Sequence, residues 1–128
     1  MDWMNDEWAS DAAGTVELLP EAPGLSGTVS FAVAEGTGKK RLEAGFHWRY
    51  SDGKALDGEP GVDAGADLVL LVAGDDAVDL LTGAVEPSVS FMRGRLKASG
   101  DGALLLGFLR STTEAGFEAW RKQVGAGL

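Results

Sequence analysis

Met4, Trp8, Ala12, Thr15 and Leu19 recur at three- and four-residue spacing, one stripe of a short helix over Asp2 to Leu19 that Gly14 weakens and Pro20 closes. Two prolines and two glycines between Pro20 and Gly27 then form a connector. From Thr28 the period changes to two. Val29, Phe31 and Val33 share one face of a strand, and after a turn-rich stretch Leu42, Ala44, Phe46, Trp48 and Tyr50 alternate strictly with Arg41, Glu43, Gly45, His47 and Arg49. The two segments predict an antiparallel hairpin whose aromatic face points to a core. Ser51 to Lys54 supplies turn chemistry, and Ala55 to Glu59 returns as an edge strand ended by Pro60.

Asp67 to Ala73 is apolar on both faces, which predicts a strand inside the sheet, covered on both sides and reached by a glycine-rich crossover. Gly74, Asp75 and Asp76 predict the N-cap and acidic first turn of a helix with Val78, Leu81 and Val85 on one side, ending near Gly83. Pro87 restarts a helical turn through Phe91 and Met92, and Gly94 breaks it. Arg95 to Ser99 alternates Leu96 and Ala98 against charged and polar neighbours as a last strand. Asp101 caps a helix with Leu104, Leu105, Phe108 and Leu109 on its apolar side. Ser111 and Glu114 fit a capping box for a final helix carrying Phe117, Trp120 and Val124 on one stripe.

At 128 residues the chain has material for one core, so residues 1–128 are expected to form a single domain. Hydrophobic residues at 45% and charged residues at 24% are ordinary globular usage. The formal net charge of −9 repels the phosphates of nucleic acid and anionic bilayers, so no nucleic-acid partner and at most transient membrane contact are expected. No apolar run approaches the roughly 18 residues of a membrane span, and the N-terminal MDWMNDEWAS lacks the pattern of a secretion signal, which points to a soluble cytoplasmic chain.

With no cysteine, thiolate catalysis and a disulfide framework are excluded. The one histidine, His47, stands on the polar face of its strand with no nucleophile beside it in sequence, and is read as a surface or packing residue. Gly36 to Lys39 lacks the first glycine and the Ser or Thr of a phosphate loop and is read as a hairpin turn. Asp57, Glu59, Asp63 and Asp67 miss an oxygen ligand and a glycine of a calcium loop at Gly61 and Val62, and are read as solvated loop acids. No cofactor, metal or catalytic residue is expected. Arg93, Arg95 and Lys97 form a basic cluster in an acidic chain, either a contact for a lipid headgroup or a solvated strand edge paired to nearby acids.

The run from Ala66 to Asp101, ADLVLLVAGDDAVDLLTGAVEPSVSFMRGRLKASGD, resembles the signature of the sterol carrier protein 2 family: an ADL-type strand, an acidic-capped helix with LLTG, and a proline-opened turn leading to FM, RGRLK and GD. The element order resembles that family over most of the chain, and STTEAGFEAWRKQVGAGL is similar to the helical end of bacterial stand-alone members, with no S-K-L type tripeptide. The resemblance implies an α+β fold with a five-stranded, mostly antiparallel sheet, a crossover, and helices on one side. It implies non-enzymatic binding or transfer of a small-molecule lipid, a fatty acid, fatty acyl-CoA or sterol, in an apolar cavity between sheet and helices. On that expectation Phe46, Trp48, Leu68, Leu70, Val78, Leu81, Phe91, Met92, Leu96, Leu105 and Phe108 line the cavity, and Arg93 and Arg95 contact the headgroup. Each apolar residue in this set equally suits an ordinary core. The alternative is therefore an interaction module, a homodimer with a filled cavity, in which Trp3 and Trp8 anchor an interface.

Overall fold

The computed structural model describes residues 3–36, 41–126 and 128. The first helix, α1 (Asp6–Ala13), is shorter than its stripe predicts. Asn5 caps it through an Oδ1 that accepts from the Trp8 amide at 2.9 Å, and Gly14 ends it, so Val16–Leu18 continues as a separate 3-10 turn. Trp8 and Ala12 still face inward, and the Trp8 indole donates to the Val124 carbonyl at 3.1 Å.

The hairpin strands are β1 (Gly27–Glu35) and β2 (Leu42–Ser51), antiparallel with Phe31 opposite Phe46 and Val29 opposite Trp48. The turn expected at Gly36 to Lys39 lies, beyond Gly36, outside the described residues. β3 (Lys54–Pro60) is the predicted edge strand. It joins β2 through an irregular register between His47 and Arg49. β4 (Leu68–Ala73) pairs parallel with β1, and β5 (Lys97–Gly100) pairs antiparallel with β4. The sheet order is β3-β2-β1-β4-β5, with the one parallel pair next to its centre. Asp67 clips that pair. The Thr28 amide donates to the Asp67 carboxylate at 3.0 Å, the Asp67 amide donates back to Thr28 Oγ1 at 2.9 Å, and the Asp101 amide donates to the Asp67 carbonyl at 2.8 Å.

The helices lie on one face of the sheet, against Val29, Phe31, Val33, Phe46, Trp48 and Tyr50. The opposite face is covered in part by the crossover 61–67. There the Asp63 amide donates to the buried Ser30 hydroxyl at 3.0 Å and His47 Nδ1 lies 2.8 Å from the Gly61 carbonyl. His47 therefore has a packing role beneath that crossover. A Cβ at Gly45 would crowd Val62 of this crossover and overlap the Phe31 carbonyl of β1. β4 was expected to be covered on both sides. Leu68, Leu70 and Val72 are buried against the helices, but Val69 and Leu71 are only half-buried, since the crossover does not extend across them.

α2 (Gly74–Thr82) has its N-cap at Ala73 with no capping side chain, although Asp75 and Asp76 do occupy its first turn. Its buried side is Gly74, Ala77, Leu80 and Leu81. Of the predicted face, Leu81 is buried, whereas Val78 and Val85 are only half-buried, and the small Gly74 and Ala77 take their place beside Leu80. α3 (Pro87–Met92) follows, and Gly94 at φ 74° reverses the chain toward β5. α4 (Gly102–Ser111) is capped by Asp101, whose carboxylate accepts from the Ala103 and Leu104 amides. α5 (Ala115–Val124) buries the predicted Phe117, Trp120 and Val124. The capping box expected before it does not form. Glu114 is the N-cap without a side-chain bond, and Ser111 is buried at the end of α4, donating to the Phe108 carbonyl at 2.6 Å.

Candidate ligand-binding site

The alternation in β2 aims Phe46, Trp48 and Tyr50 at the helices, and the three side chains are at most 1% exposed. Phe31 and Trp48 floor a crevice roofed by Leu80 and Leu81 of α2, Pro87, Leu96, Phe108 of α4, and Phe117 and Trp120 of α5. The rings interlock: Trp48 lies 5.6 Å from Phe46 and 6.0 Å from Phe108, and Phe117 lies 5.4 Å from Trp120. Such contacts contribute roughly 0.5–1.5 kcal/mol each beyond area burial. The space left between them is about 20 Å³, room for little more than one water.

Of the predicted lining residues, Trp48, Leu81, Leu96 and Phe108 meet around this crevice. Phe46, Leu68 and Leu70 are buried in the surrounding core. Phe91 and Leu105 are half-buried against the core, and Val78 is half-buried on α2. Met92 is a correction: it is 84% exposed at the end of α3 and turned away from the core. Neighbours on a helix point about 100° apart, so Phe91 packing against the core directs Met92 to solvent. Arg93 and Arg95 also stand outside the crevice, exposed around a surface depression with Asp76, Asp79 and Ser90. Arg95 reaches Asp76 at 3.5 Å, the solvated-edge alternative for that cluster. Phe31, Leu80, Pro87, Phe117 and Trp120 complete the lining. Three of them, Phe31, Phe117 and Trp120, lie on faces predicted to point inward, and only their convergence was not legible.

A second space lies at the surface. The connector residues Ala22, Pro23 and Leu25 and the α4 residues Ala103, Leu106, Gly107 and Ser111 enclose a groove of about 580 Å³, with Glu21, Arg110 and Glu114 at its rim. Leu106 is 69% exposed there, and a Cβ on Gly107 would overlap Leu25. Ser111 lines the groove, and its hydroxyl lies beside that of Tyr50. Burial pushes the Tyr50 hydroxyl up to about 12, and the neighbouring Trp48 indole and Ser111 hydroxyl pull the other way. Those neighbours are not aligned for bonding. The Tyr50 hydroxyl and the Trp48 and Trp120 indole nitrogens are buried without a hydrogen-bond partner among the described residues.

The roof is tied down on its far side. Arg121 of α5 is buried over the Phe117 ring at 5.3 Å and donates to Glu86 at 3.1 Å and to Glu118. Three of the four loop acids have structural partners: Asp57 pairs with Arg49 at 2.6 Å, Asp63 accepts from the Gly65 amide, and Asp67 holds Thr28. Trp8, expected as an interface anchor, is buried in its own chain with Trp3 edge-on to it at 4.9 Å. Among the described residues, no helix is long and apolar enough to cross a membrane.

The family model of the SCP-2 sterol transfer family matches residues 13–109. The chain belongs to that family. Solved structures of similar fold include a conserved hypothetical protein of Thermus thermophilus, described as possibly a sterol carrier protein, at TM-score 0.70 and 19% identity, covering 97% of this chain and 90% of that one. Another is a crystal structure of sterol carrier protein 2, at TM-score 0.67 and 17% identity, with 96% and 97% of the two chains covered. A third is palmitated SCP2L2 from Aedes aegypti, at TM-score 0.56 and 16% identity, covering 70% and 75%. No curated protein matches in sequence. The five-stranded sheet with one parallel pair and helices on a single face is thus the fold of this family.

Proposed function

We propose that the chain binds and transfers a lipid on the helix side of its sheet, without chemistry of its own. Family membership supports lipid binding or transfer. The observation that carries the location is the lining of the crevice by aliphatic and aromatic side chains under α2, α4 and α5, with a groove at Ser111 whose walls include Ala22, Pro23, Leu25 and Leu106. A void of about 20 Å³ does not admit a lipid chain, so uptake requires the roof helices or the connector to move outward. Fatty acid, fatty acyl-CoA and sterol are the ligand classes to compare. Native mass spectrometry of protein taken from cells, followed by titration with fluorescent members of each class, tests the proposal. Absence of any bound or competing lipid at micromolar concentration refutes it.

The tight filling of the crevice favours a second reading, an interaction module that has lost its cavity. Solution mass separates the two: a monomer that takes up lipid supports the carrier, and a lipid-free dimer supports the module.

A further inference from the structure

Beyond the apolar walls, the site contains a small set of neutral hydrogen-bonding groups that the core itself does not use. The Tyr50 hydroxyl and the Trp48 Nε1–H are each on side chains 1% exposed and have no partner among the described residues. Ser111, 3% exposed, sits beside Tyr50 and gives its own proton to the Phe108 carbonyl, which leaves its oxygen lone pairs available. Trp48 is part of the crevice wall, Ser111 is part of the groove wall, and the Tyr50 hydroxyl lies beside both, so the three groups stand between the two spaces. Buried donors without acceptors are costly and are rare in folded proteins, and one acceptor oxygen placed between Tyr50 and Trp48 would satisfy both.

From this geometry we infer that Trp48, Tyr50 and Ser111 form the polar-end subsite of the bound lipid, and that it takes a neutral oxygen, a hydroxyl or carbonyl, in preference to a carboxylate. The inference rests on the proposed lipid-binding role and adds which chemical group of the ligand is recognised. A hydroxyl suits the subsite best. It accepts from the Trp48 indole and the Tyr50 hydroxyl and donates its proton to the Ser111 oxygen. The subsite contains no cation. A carboxylate buried there would leave water without a counter-charge, which disfavours its ionised form. The same low polarity raises Tyr50 itself. The charges nearest the groove are the rim residues Arg110, Glu21 and Glu114, two acids against one base, so the rim does not reverse the preference. The hydrocarbon of the ligand lies on the apolar surfaces that flank the subsite, Leu25 and Leu106 on one side and Trp48 and Phe108 on the other.

The test compares lauryl alcohol, laurate and dodecane, a series with one hydrocarbon length and three ends, on the wild-type chain and on Tyr50→Phe. At neutral pH the wild type is expected to bind the alcohol about tenfold more tightly than dodecane, one or two buried hydrogen bonds, and more tightly than laurate. Tyr50→Phe should lose most of the alcohol's advantage while its affinity for dodecane stays unchanged. The unliganded Tyr50→Phe protein should be as stable as the wild type or slightly more so, because the hydroxyl it lacks has no partner. Equal affinity of wild type and Tyr50→Phe for the alcohol overturns the inference, as does tighter binding of laurate than of the alcohol. A clear loss of stability in unliganded Tyr50→Phe also overturns it, because the hydroxyl would then already be satisfied, by a bound water for instance. If none of the three compounds binds the wild type, the lipid-binding role itself fails and the inference falls with it. Binding that ignores the Tyr50 hydroxyl removes the inference alone.

Discussion

Phe108→Ala asks whether the crevice is as full in solution as its 20 Å³ void implies. Phe108 is 4% exposed on α4, its ring is 6.0 Å from that of Trp48, and it forms part of the roof. Truncation removes a ring and leaves a cavity on the order of 100 Å³. At ~24 cal/mol per Å³ this costs about 2.4 kcal/mol if the walls do not relax, and transfer of the ring adds roughly 2 kcal/mol. The expected loss is therefore about 4 kcal/mol, a large share of the roughly 5–15 kcal/mol available to a folded domain. In urea unfolding with a slope near ~1.5 kcal/mol per M, the midpoint should fall by about 2.7 M with the slope unchanged. The enlarged crevice should also accept a small apolar probe such as benzene, and saturation at about 100 times its Kd should restore about 2.7 kcal/mol. A loss below about 1 kcal/mol would refute the packing argument, because the ring would then stand in a crevice that is already open.

Tyr50 gives a pH test. Its folded pKa is raised from 10.0 to about 12, so its contribution to stability is fully present below pH 10 and is lost as pH rises through about 12. Across that window stability should fall by about 1.4 kcal/mol per pH unit relative to Tyr50→Phe. The chain has one tyrosine, so tyrosinate absorbance reports it alone, and titration near 10 in the folded protein would contradict the burial argument. Gly45→Ala should cost about 2–4 kcal/mol by urea unfolding, because its methyl overlaps the Phe31 carbonyl of β1 and crowds Val62 of the crossover; a neutral result would contradict this close packing around Gly45. Met92→Ser should change stability by no more than about 0.5 kcal/mol and leave lipid affinity unaltered, and a loss of binding would return Met92 to the site.

What could be read directly from the sequence was whatever one strong signal determined. The Leu42 to Tyr50 alternation gave β2 and its inward face, Asp101 gave the α4 cap, and Pro87 with Gly94 bounded α3. The α2 face was read correctly at Leu81 alone, because the rest of its contact surface is Gly74 and Ala77 beside Leu80, and small residues carry little weight in a pattern of large apolar ones. Ser111 looked like a cap because a hydroxyl three residues before a glutamate usually is one. Burial at the end of α4 turned that hydroxyl back onto the Phe108 carbonyl instead. Trp48, Leu81, Leu96 and Phe108 were legible as crevice residues because they lie on predicted inward faces. The crevice volume and the meeting of Tyr50 with Ser111 were not, since both depend on how α4 seats against β2, a long-range fit without a local signature.

The clip at Asp67 also bears on how the chain folds. β1 finds β2 across a short turn, but its other neighbour, β4, requires Thr28 to meet Asp67 across 39 positions. Closing that loop costs chain entropy before any parallel ladder bond repays it, so the hairpin can form early and the parallel pairing sets the rate. The reciprocal Thr28 and Asp67 bonds mark the first rung of that pairing, and the Asp101 amide joins the third strand to the same residue. Asp67→Ala is accordingly expected to slow refolding more than a substitution of similar cost on the exposed β3 edge.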